Sequence, residues 1–431
     1  MAVFEVEGGK VLSGAIRPTG NKNAALPCLA ATLLTEDEVV LENIPRIRDV
    51  STLLAILEAL GAEVQWAGTN TVRVRASGKL NSQPDPQLSE RIRASILLAG
   101  PLLARLGRVE LPPPGGDVIG RRRLDSHFLA FRGLGAQVEL DATEVKLRAP
   151  ELRGSDIFLD EPSVTGTENA IMAAVLAKGT TRLRNAACEP HVQDLCHLLN
   201  AMGGRISGIG TQILEIEGVD RLGGATYRIQ SDHIEAGSFI GLAAVTGSVL
   251  RIPDAPLGHM DSTLLGFRRL GVDCDVDDGD LVVHGDRDRK IRSDAFGHIP
   301  KVDDGPWPAF PADLTSIALV TATQCSGTVL VHEKMFESRM FFTDKLVAMG
   351  ARIILCDPHR AVVVGPSPLR GAPLESPDIR AGMAMLLAAL CANGTSRIQN
   401  IGQIERGYER IHLRLRELGA EIQRLEGGEG E

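Results

Sequence analysis

Apolar and polar residues follow a pattern along this chain that repeats six times. Each copy has a helix that is apolar almost all round, then a short strand, then an amphipathic helix with apolar positions near i, i+3, i+4 and i+7. The amphipathic helix ends in glycine and leads into a strand, as in "LLAILEALGAEV" and "FLAFRGLGAQVEL". That glycine recurs at intervals of roughly 70 residues, which suits a compact unit rather than a solenoid repeat. Its six positions are Gly61, Gly135, Gly203, Gly271, Gly350 and Gly419.

Each copy therefore predicts a β-α-β-α-β-β unit whose first helix is buried and whose second helix lies on the outer side. Six such units divide most simply into two lobes of three. We predict one lobe over residues 22–231 and a second lobe over residues 1–21 plus 232–431, with the strand-like leader 1–21 pairing with the second lobe. Two lobes with a cleft between them favour a site that closes on its ligand.

The composition limits the class of protein. The chain has 431 residues, 44% of them apolar and only 3% aromatic, so Leu, Ile, Val and Ala must build its cores. The formal net charge of -9 argues against a general nucleic-acid or anionic-membrane surface. The N-terminal "MAVFEVEGGKVLSG" has no signal-peptide pattern, and no run of about 18 apolar residues occurs. We therefore expect a cytoplasmic protein.

Cysteine and histidine patterns indicate no metal site. The seven cysteines are scattered and never form C-x-x-C, so we expect mostly buried, reduced thiols without disulfides or zinc. His191 and His197 in "HVQDLCH" are six residues apart and do not share a helix face. The glycines of "GIGTQILEIEG" predict a tight turn between strands rather than a dinucleotide site.

Basic residues recur at equivalent places in the repeats. Lys22, Arg93 and Arg380 stand where buried helices begin, and placing cations at helix N-termini is costly unless an anion arrives. The loop before the outer helix carries further arginines, in "IGRRRLDSH", "FESRM" and "IERGYER". Any one of them could be a solvated surface arginine. Their recurrence across repeats instead predicts a polyanionic ligand.

Several longer motifs carry a family resemblance. "GNKNAALP", "RASILLAGPL", "GGDVIGRRRLDSH", "PSVTGTENA", "NAACEP", "PAFPADLT", "FESRM", "DIRAG" and "ERGYERI" occur in the order and approximate spacing of the enolpyruvyl transferases. The chain resembles that family over nearly its whole length, most closely the members that use UDP-N-acetylglucosamine. The resemblance implies an α/β fold, a two-lobed inside-out α/β barrel with six β-α-β-α-β-β repeats, three per lobe. It also implies a mobile catalytic loop around residues 112–123 and an active site in the cleft between the lobes.

The resemblance further implies a reaction without a cofactor or metal. In such enzymes the enolpyruvyl group of phosphoenolpyruvate moves onto the 3′-hydroxyl of UDP-N-acetylglucosamine, and phosphate is released by addition and then elimination. Lys22, Arg122 and Arg406 would hold the phosphate and stabilise charge. Arg380 would bind the carboxylate of phosphoenolpyruvate, and Asn23 would lie in the same site. The nucleotide-sugar residues would be Asn23, Arg93, Arg122, Arg123, Leu124, Asp125, Ser126, Ser163, Val164, Asp313, Met335 and Arg339.

Two carboxylates would carry the proton transfers. Asp313 would accept the proton of the acceptor hydroxyl, although "PAD" alone also fits a helix N-cap. Asp117 stands where most members of the family have the cysteine that gives a proton to the methylene carbon. Neighbouring arginines favour the charged form of Asp117, whereas lobe closure and loss of water favour its protonated form. We expect Asp117 to be the general acid, and the enzyme to resist fosfomycin, which alkylates the cysteine.

Other positions leave the acceptor open. Arg123 stands in place of a family proline, Ser126 in place of a frequent leucine and Ser338 in place of an asparagine, and several of these positions lie near the nucleotide sugar. One alternative is an enolpyruvyl transferase acting on another acceptor, such as a nucleoside monophosphate. A second is a catalytically silent binding protein. We expect small-molecule substrates, with neither nucleic acid nor membrane as partner, and the sequence does not fix the oligomeric state.

Overall fold

The computed structural model of this chain describes residues 2–116, 120, 122–141 and 143–426. These residues form two units. We call residues 20–116 and 122–230 the upstream unit, and residues 2–19 and 231–426 the downstream unit. The chain passes from one unit to the other after Thr19 and again after Gln230.

Helices and strands follow one another in the order that the repeat predicts, with two exceptions among the described residues. The second repeat has the helix Pro86–Ser89 and no first strand, and the final strand of the last repeat is Val3–Glu7 of the leader. The helices are α1 Lys22–Ala31, α2 Arg48–Ala59, α3 Pro86–Ser89, α4 Ala99–Leu106, α5 Asp125–Gly133, α6 Val164–Ala174, α7 Pro190–Ala201, α8 His233–Thr246, α9 Asp261–Arg269, α10 Thr315–Ala322, α11 Thr343–Ala348, α12 Ile379–Cys391 and α13 Ile411–Glu417. The strands of the upstream unit and the leader are β1 Val3–Glu7, β2 Ser13–Ala15, β3 Val39–Glu42, β4 Glu63–Trp66, β5 Val72–Arg75, β6 Arg108–Leu111, β7 Gln137–Leu140, β8 Val145–Arg148, β9 Asp156–Phe158, β10 Thr180–Arg184, β11 Arg205–Ser207, β12 Ile213–Glu217 and β13 Ala225–Arg228. Those of the rest of the downstream unit are β14 Val249–Ile252, β15 Asp273–Asp277, β16 Asp280–His284, β17 Lys301–Asp303, β18 Gly327–His332, β19 Arg352–Asp357, β20 Arg360–Gly365, β21 Pro373–Glu375, β22 Thr395–Gln399 and β23 Glu421–Leu425.

Six sheets account for these strands in the described part of the chain, three in each unit. The upstream sheets have the strand orders β13-β3-β5-β4, β6-β8-β7 and β11-β12-β10-β9. The downstream orders are β15-β16-β14-β2, β17-β18-β20-β19 and β21-β22-β1-β23. The α/β fold with its repeated unit, predicted from the sequence, is therefore confirmed.

The first helix of each repeat is buried, as its apolar pattern predicts. Every residue of α8 and α10 is buried, and α1 is buried except at Asn23. Small residues allow this close packing: a Cβ added to Gly241 would lie only 2.5 Å from Cγ2 of Ile317. α8, α10 and α12 pack against one another and form the centre of the downstream core.

The second helix of each repeat buries one face only. In α2, Leu53 and Leu57 are buried and Glu58 is exposed. The glycine that follows each of these six helices has a positive φ, between 83° and 106°, where a side chain would be strained. The predicted change from helix to strand at these glycines is confirmed.

The leader pairs with downstream strands. β1 lies antiparallel between β22 and β23, and β2 lies parallel to β14. In return, β13 lies parallel to β3 of the upstream unit, although the chain continues from β13 into α8. The first strand of one repeat in each unit is thus supplied from a distant part of the chain.

Three smaller expectations can be compared with the structure. Gly208 and Gly210 form the predicted turn between β11 and β12, with φ of 76° and 82°. All seven cysteines are free thiols; four are buried, two are half-buried and Cys356 is exposed. Within the described ranges, no helix is both long enough and apolar enough to cross a membrane.

Candidate active site

The first cluster of predicted site residues lies where α1 begins. Asn21 caps the helix, and its side-chain oxygen accepts hydrogen bonds from the backbone N–H groups of Asn23 and Ala24 at 2.8 and 3.2 Å. Lys22 follows, nearly buried, and its Nζ lies 2.9 Å from Oδ2 of Asp49 in the first turn of α2. The expectation that Lys22 is costly without an arriving anion is therefore wrong, because Asp49 already offsets its charge.

Arg93 and Arg122 lie together in the upstream unit. Arg93 opens the 3₁₀ segment Arg93–Leu98 ahead of α4, and its Nη2 donates to the backbone oxygen of Arg122 at 2.6 Å. Burial, together with the positive charge of Arg122, lowers the pKa of Arg93 to about 10. The shift shows that the charges of Arg93 and Arg122 repel each other, and an anion near both would relieve that repulsion.

The segment after Arg122 is held by a carboxylate that sequence reasoning missed. Oδ2 of Asp160 accepts from Arg123 at 2.9 Å, and Oδ1 accepts from the hydroxyl of Ser126 at 2.7 Å. Arg123 also pairs with Asp125 at 3.1 Å. Leu124 packs against the upstream core. We call Asp160 with Arg123 and Ser126 the Asp160 clasp. It joins two positions at which this chain departs from the family pattern.

His127 links that segment to the start of α6. It is fully buried, and burial with the nearby charge of Arg93 lowers its pKa to about 3, so the ring is neutral. Its Nδ1 accepts from the amide of Asn169 at 2.9 Å, which leaves Nε2–H to donate to the hydroxyl of Thr165 at 3.0 Å. Ser163 caps α6 by accepting from Gly166 N–H at 3.3 Å, and Val164 is the first residue of the helix. The predicted nucleotide-sugar segments 122–126 and 163–164 are therefore fixed to one another.

The second cluster, in the downstream unit, surrounds Asp313. Nη2 of Arg339 lies 2.6 Å from Oδ1 of Asp313, while Nε and Nη2 of Arg380 lie 3.0 and 2.8 Å from Oδ2. Asp313 sits in the 3₁₀ turn Ala312–Leu314, and its side chain does not cap α10. The alternative interpretation of Asp313 as a helix N-cap is therefore wrong. Both oxygens are instead paired with guanidinium groups, so the position and the orientation of the carboxylate are fixed.

Arg380 is deeply buried at the start of α12. Burial alone lowers its pKa, but the nearby Asp313 and Asp232 carboxylates and the hydroxyl of Tyr408 outweigh burial and raise it, so the side chain stays charged. Tyr408 is fully buried and accepts from Nη1 of Arg380 at 3.3 Å. As with Lys22, the anion that offsets a cation at a helix start is a carboxylate of the chain itself, which corrects the expectation for Arg380.

The remaining downstream residues lie on loops. Met335 and Arg339 belong to the segment between β18 and α11, and the guanidinium carbon of Arg339 lies 4.7 Å from the ring centre of Phe336. Arg406 ends the 3₁₀ turn Ile404–Arg406 and donates to the side chain of Gln403 at 2.9 Å. Asp117, the predicted proton donor, lies outside the described residues.

Two acidic residues that contact the predicted site residues were not identified from the sequence. Asp49 and Asp160 stand at the first turn of α2 and just after β9. The only sequence feature that could have identified them is an acidic residue at the end of a predicted helix or strand close to the predicted basic residues. Among the described residues, no group of three or more His, Cys, Asp or Glu side chains could hold a metal ion.

Comparisons with known proteins give a consistent result. The sequence model of EPSP synthase (3-phosphoshikimate 1-carboxyvinyltransferase) matches residues 6–426. UDP-N-acetylglucosamine 1-carboxyvinyltransferase of Bradyrhizobium diazoefficiens is 63% identical over 98% of both chains, and that of Treponema pallidum is 56% identical over 98% of this chain and 99% of the relative.

Solved structures agree on the fold. The enolpyruvyl transferase NikO from Streptomyces tendae superposes with a TM-score of 0.87 at 26% identity, covering 98% of both chains. EPSP synthase from Acinetobacter baumannii superposes with a TM-score of 0.76 at 17% identity, covering 99% of this chain and all of the other, and shows the fold alone. The repeated α/β unit, the family match and the near full-length relatives together establish that this chain belongs to the EPSP synthase family of enolpyruvyl transferases.

Proposed function

We propose that this protein transfers the enolpyruvyl group of phosphoenolpyruvate to the 3′-hydroxyl of UDP-N-acetylglucosamine and releases phosphate, the first committed step of peptidoglycan precursor synthesis. The observation that carries the proposal is the 63% identity, over 98% of both chains, to a UDP-N-acetylglucosamine 1-carboxyvinyltransferase. Such an enzyme meets both substrates as small molecules, and we propose that it works in the cytoplasm.

In the downstream unit, Asp313 accepts the proton of the acceptor hydroxyl. Its ion pairs with Arg339 and Arg380 support this role, because they hold both carboxylate oxygens in fixed positions. Arg380 binds the carboxylate of phosphoenolpyruvate. It is already a buried, charged guanidinium, so it needs no change of protonation to meet an anion.

In the upstream unit, Lys22 and Arg122 bind the phosphate of phosphoenolpyruvate, and Arg406 of the downstream unit shares that task. The segments 122–126 and 163–164 bind the nucleotide sugar together with Asn23 and Arg93. The contacts of the Asp160 clasp and of His127 support this assignment, because they fix the two segments relative to each other.

Asp117 is the proposed general acid. In the addition step, the acceptor oxygen bonds to C2 of phosphoenolpyruvate, its proton goes to Asp313, and C3 takes a proton from Asp117. In the elimination step, the Asp117 carboxylate takes a proton from C3, the double bond between C2 and C3 forms again, and the bond from C2 to the phosphate oxygen breaks as the leaving phosphate takes up the proton held by Asp313. Positive groups near the phosphate stabilise the charge that develops on it.

The decisive experiment measures phosphate release from phosphoenolpyruvate with UDP-N-acetylglucosamine, with nucleoside monophosphates and with no acceptor. Release only with UDP-N-acetylglucosamine, with a product heavier by one enolpyruvyl group, is the expected result. Release with another acceptor instead would overturn the assigned substrate. No release with any acceptor, from a folded protein, would support a silent binding protein.

A further inference from the structure

A second pair of carboxyl groups lies behind Arg339, outside the machinery described above. Glu333 follows β18 and begins the loop of Met335 and Arg339, which we call the 333–339 loop. The side chain of Glu333 is fully buried, and its Oε1 accepts from the backbone N–H of Phe336 at 3.2 Å. Its backbone is fixed by His359, whose carbonyl accepts from Glu333 N–H and whose Nδ1–H donates to the Glu333 carbonyl, both at 2.8 Å.

Asp304 is the partner of Glu333. It follows β17, the parallel neighbour of β18, and is only 1% exposed. Its N–H donates to the carbonyl of His332 at 3.3 Å, and its Oδ1 accepts from the backbone N–H of Lys334. Because adjacent parallel strands end at the same edge of a sheet, the two carboxyl groups are brought side by side.

Two oxygens of this pair have no donor from the described residues. Oε2 of Glu333 and Oδ2 of Asp304 are both buried and unpartnered. Two buried carboxylates side by side would repel and would leave both oxygens unsatisfied. A single proton shared between them removes the repulsion and satisfies both oxygens, as in other close carboxyl pairs.

The groups around Glu333 favour the protonated form of its carboxyl group. The charged and titratable groups around Glu333 are Asp304 after β17, Arg339 in the 333–339 loop, and His359 between β19 and β20. Burial, together with the adjacent carboxyl group of Asp304, raises the pKa of Glu333 to about 9, and Arg339 and the side chain of Thr315 oppose this only in part. The neighbouring Asp303 is half-buried and pairs with Lys301 and Lys334 instead.

We propose that Glu333 and Asp304 share one proton, and that this pair is a positioning device that holds the 333–339 loop so that Arg339 meets Asp313. We assign the pair no contact with substrate. It acts through Arg339, one of the two guanidinium groups that fix Asp313. Its effect on turnover rests on the proposed function, whereas the shared proton does not.

The first test compares pH profiles of phosphate release. In Glu333→Gln the amide N–H₂ replaces the shared proton and does not titrate, so activity near pH 7 should stay within about threefold of the native value. On going to about pH 10, native activity should fall roughly tenfold more than that of Glu333→Gln. Glu333→Ala should lose activity at every pH. Asp344→Asn, at an exposed carboxylate in the first turn of α11, should follow the native profile.

Parallel profiles for the native enzyme and Glu333→Gln would overturn the proposal, because no essential proton would then leave Glu333. Equal activity of Glu333→Ala and the native enzyme would overturn the positioning role. Both results are informative only if the native enzyme turns over UDP-N-acetylglucosamine, so a second measurement is independent of activity.

That second measurement is thermal unfolding as a function of pH. The pKa of Glu333 is raised in the folded protein, so the native state keeps a proton that the unfolded chain releases. Its contribution to stability is full below about pH 4.5 and is lost progressively as the pH rises to about 9. Across that window the unfolding equilibrium of the native enzyme should shift toward unfolding by up to tenfold per pH unit relative to Glu333→Gln.

A difference in unfolding midpoint between the two proteins that does not change with pH would refute the shared proton. If the unfolding midpoints diverge with pH as expected while no phosphate is released with UDP-N-acetylglucosamine, the shared proton is supported and the proposed function is wrong. If phosphate is released but the midpoints run parallel, the function stands and the pair fails.

Discussion

The two clusters of site residues are held in different ways. In the upstream unit, Arg123 is 40% exposed and lies in a segment fixed by surface contacts to Asp160 and Asp125. In the downstream unit, the side chains of Arg339 and Arg380 are only 10% and 7% exposed, and both pair with Asp313. Exposed ion pairs contribute about 0–1 kcal/mol each, whereas losing one partner of a buried pair costs about 3–5 kcal/mol.

This difference indicates a division of labour. A carboxylate held by two buried guanidinium groups cannot move without loss of stability, which suits a proton acceptor that must be aimed before the substrate binds. A segment held by exposed pairs can adjust to its ligand at little cost. We expect changes in the downstream cluster to affect the rate most and changes in the Asp160 clasp to affect binding most.

The largest effect is expected for Asp313→Asn. The amide keeps the size of the side chain but cannot accept the proton, so kcat should fall about 10²–10⁴-fold. The protein should also unfold at a lower temperature, because two buried guanidinium groups lose their counter-charge. Steady-state kinetics and thermal unfolding measure both effects, with Asp288→Asn, at an exposed carboxylate outside the cluster, as the control. Turnover within threefold of native would remove Asp313 from the chemistry.

Asp117 provides a second test of the proposed chemistry. Asp117→Asn should lower kcat by a similar factor of about 10²–10⁴, because the amide cannot donate a proton to C3. Asp117→Cys should keep measurable turnover and become sensitive to fosfomycin, whereas the native enzyme resists it. The check is residual activity after timed incubation with the inhibitor. Full turnover of Asp117→Asn, or rapid inactivation of the native enzyme, would contradict the assignment of Asp117.

Lys22 and Asp49 resemble the downstream cluster in burial although they lie upstream. The two side chains are 11% and 6% exposed, so Asp49→Asn should leave a buried lysine without its counter-charge and lower stability by about 3 kcal/mol. Because Lys22 is then released from its partner, excess phosphate should stabilise the variant more than the native enzyme. Thermal unfolding with and without phosphate measures this. An equal shift in both proteins would show that Lys22 does not meet the anion.

Sequence patterns predict features formed by neighbouring residues. They do not predict contacts between residues that are far apart in the chain. The repeat, the buried helices and the glycine turns were predictable, because each depends on a few neighbouring residues. The roles of Asp313 and Arg380 came from the family resemblance. Asp49, Asp160 and the pair of Glu333 with Asp304 could not be predicted, because tertiary packing brings each of them to its partner. For the same reason, no sequence pattern indicated that Lys22 and Arg380 already have carboxylates of the chain as counter-charges.

The smallest effect, and the sharpest test of the division of labour, is expected for the Asp160 clasp. Asp160→Asn removes the charge that attracts Arg123, so the 122–126 segment should be less well ordered for the nucleotide sugar. A loss of about 0.5–1.5 kcal/mol corresponds to a KM for UDP-N-acetylglucosamine that is roughly 2- to 10-fold higher. The kcat value and the KM for phosphoenolpyruvate should hardly change. Asp156→Asn breaks a comparable pair with Arg184 nearby and serves as the matched control. A fall in kcat of the same size as for Asp313→Asn would mean that the Asp160 clasp orients the reacting groups. The proposed difference, in which the upstream cluster affects binding and the downstream cluster affects the rate, would then be wrong.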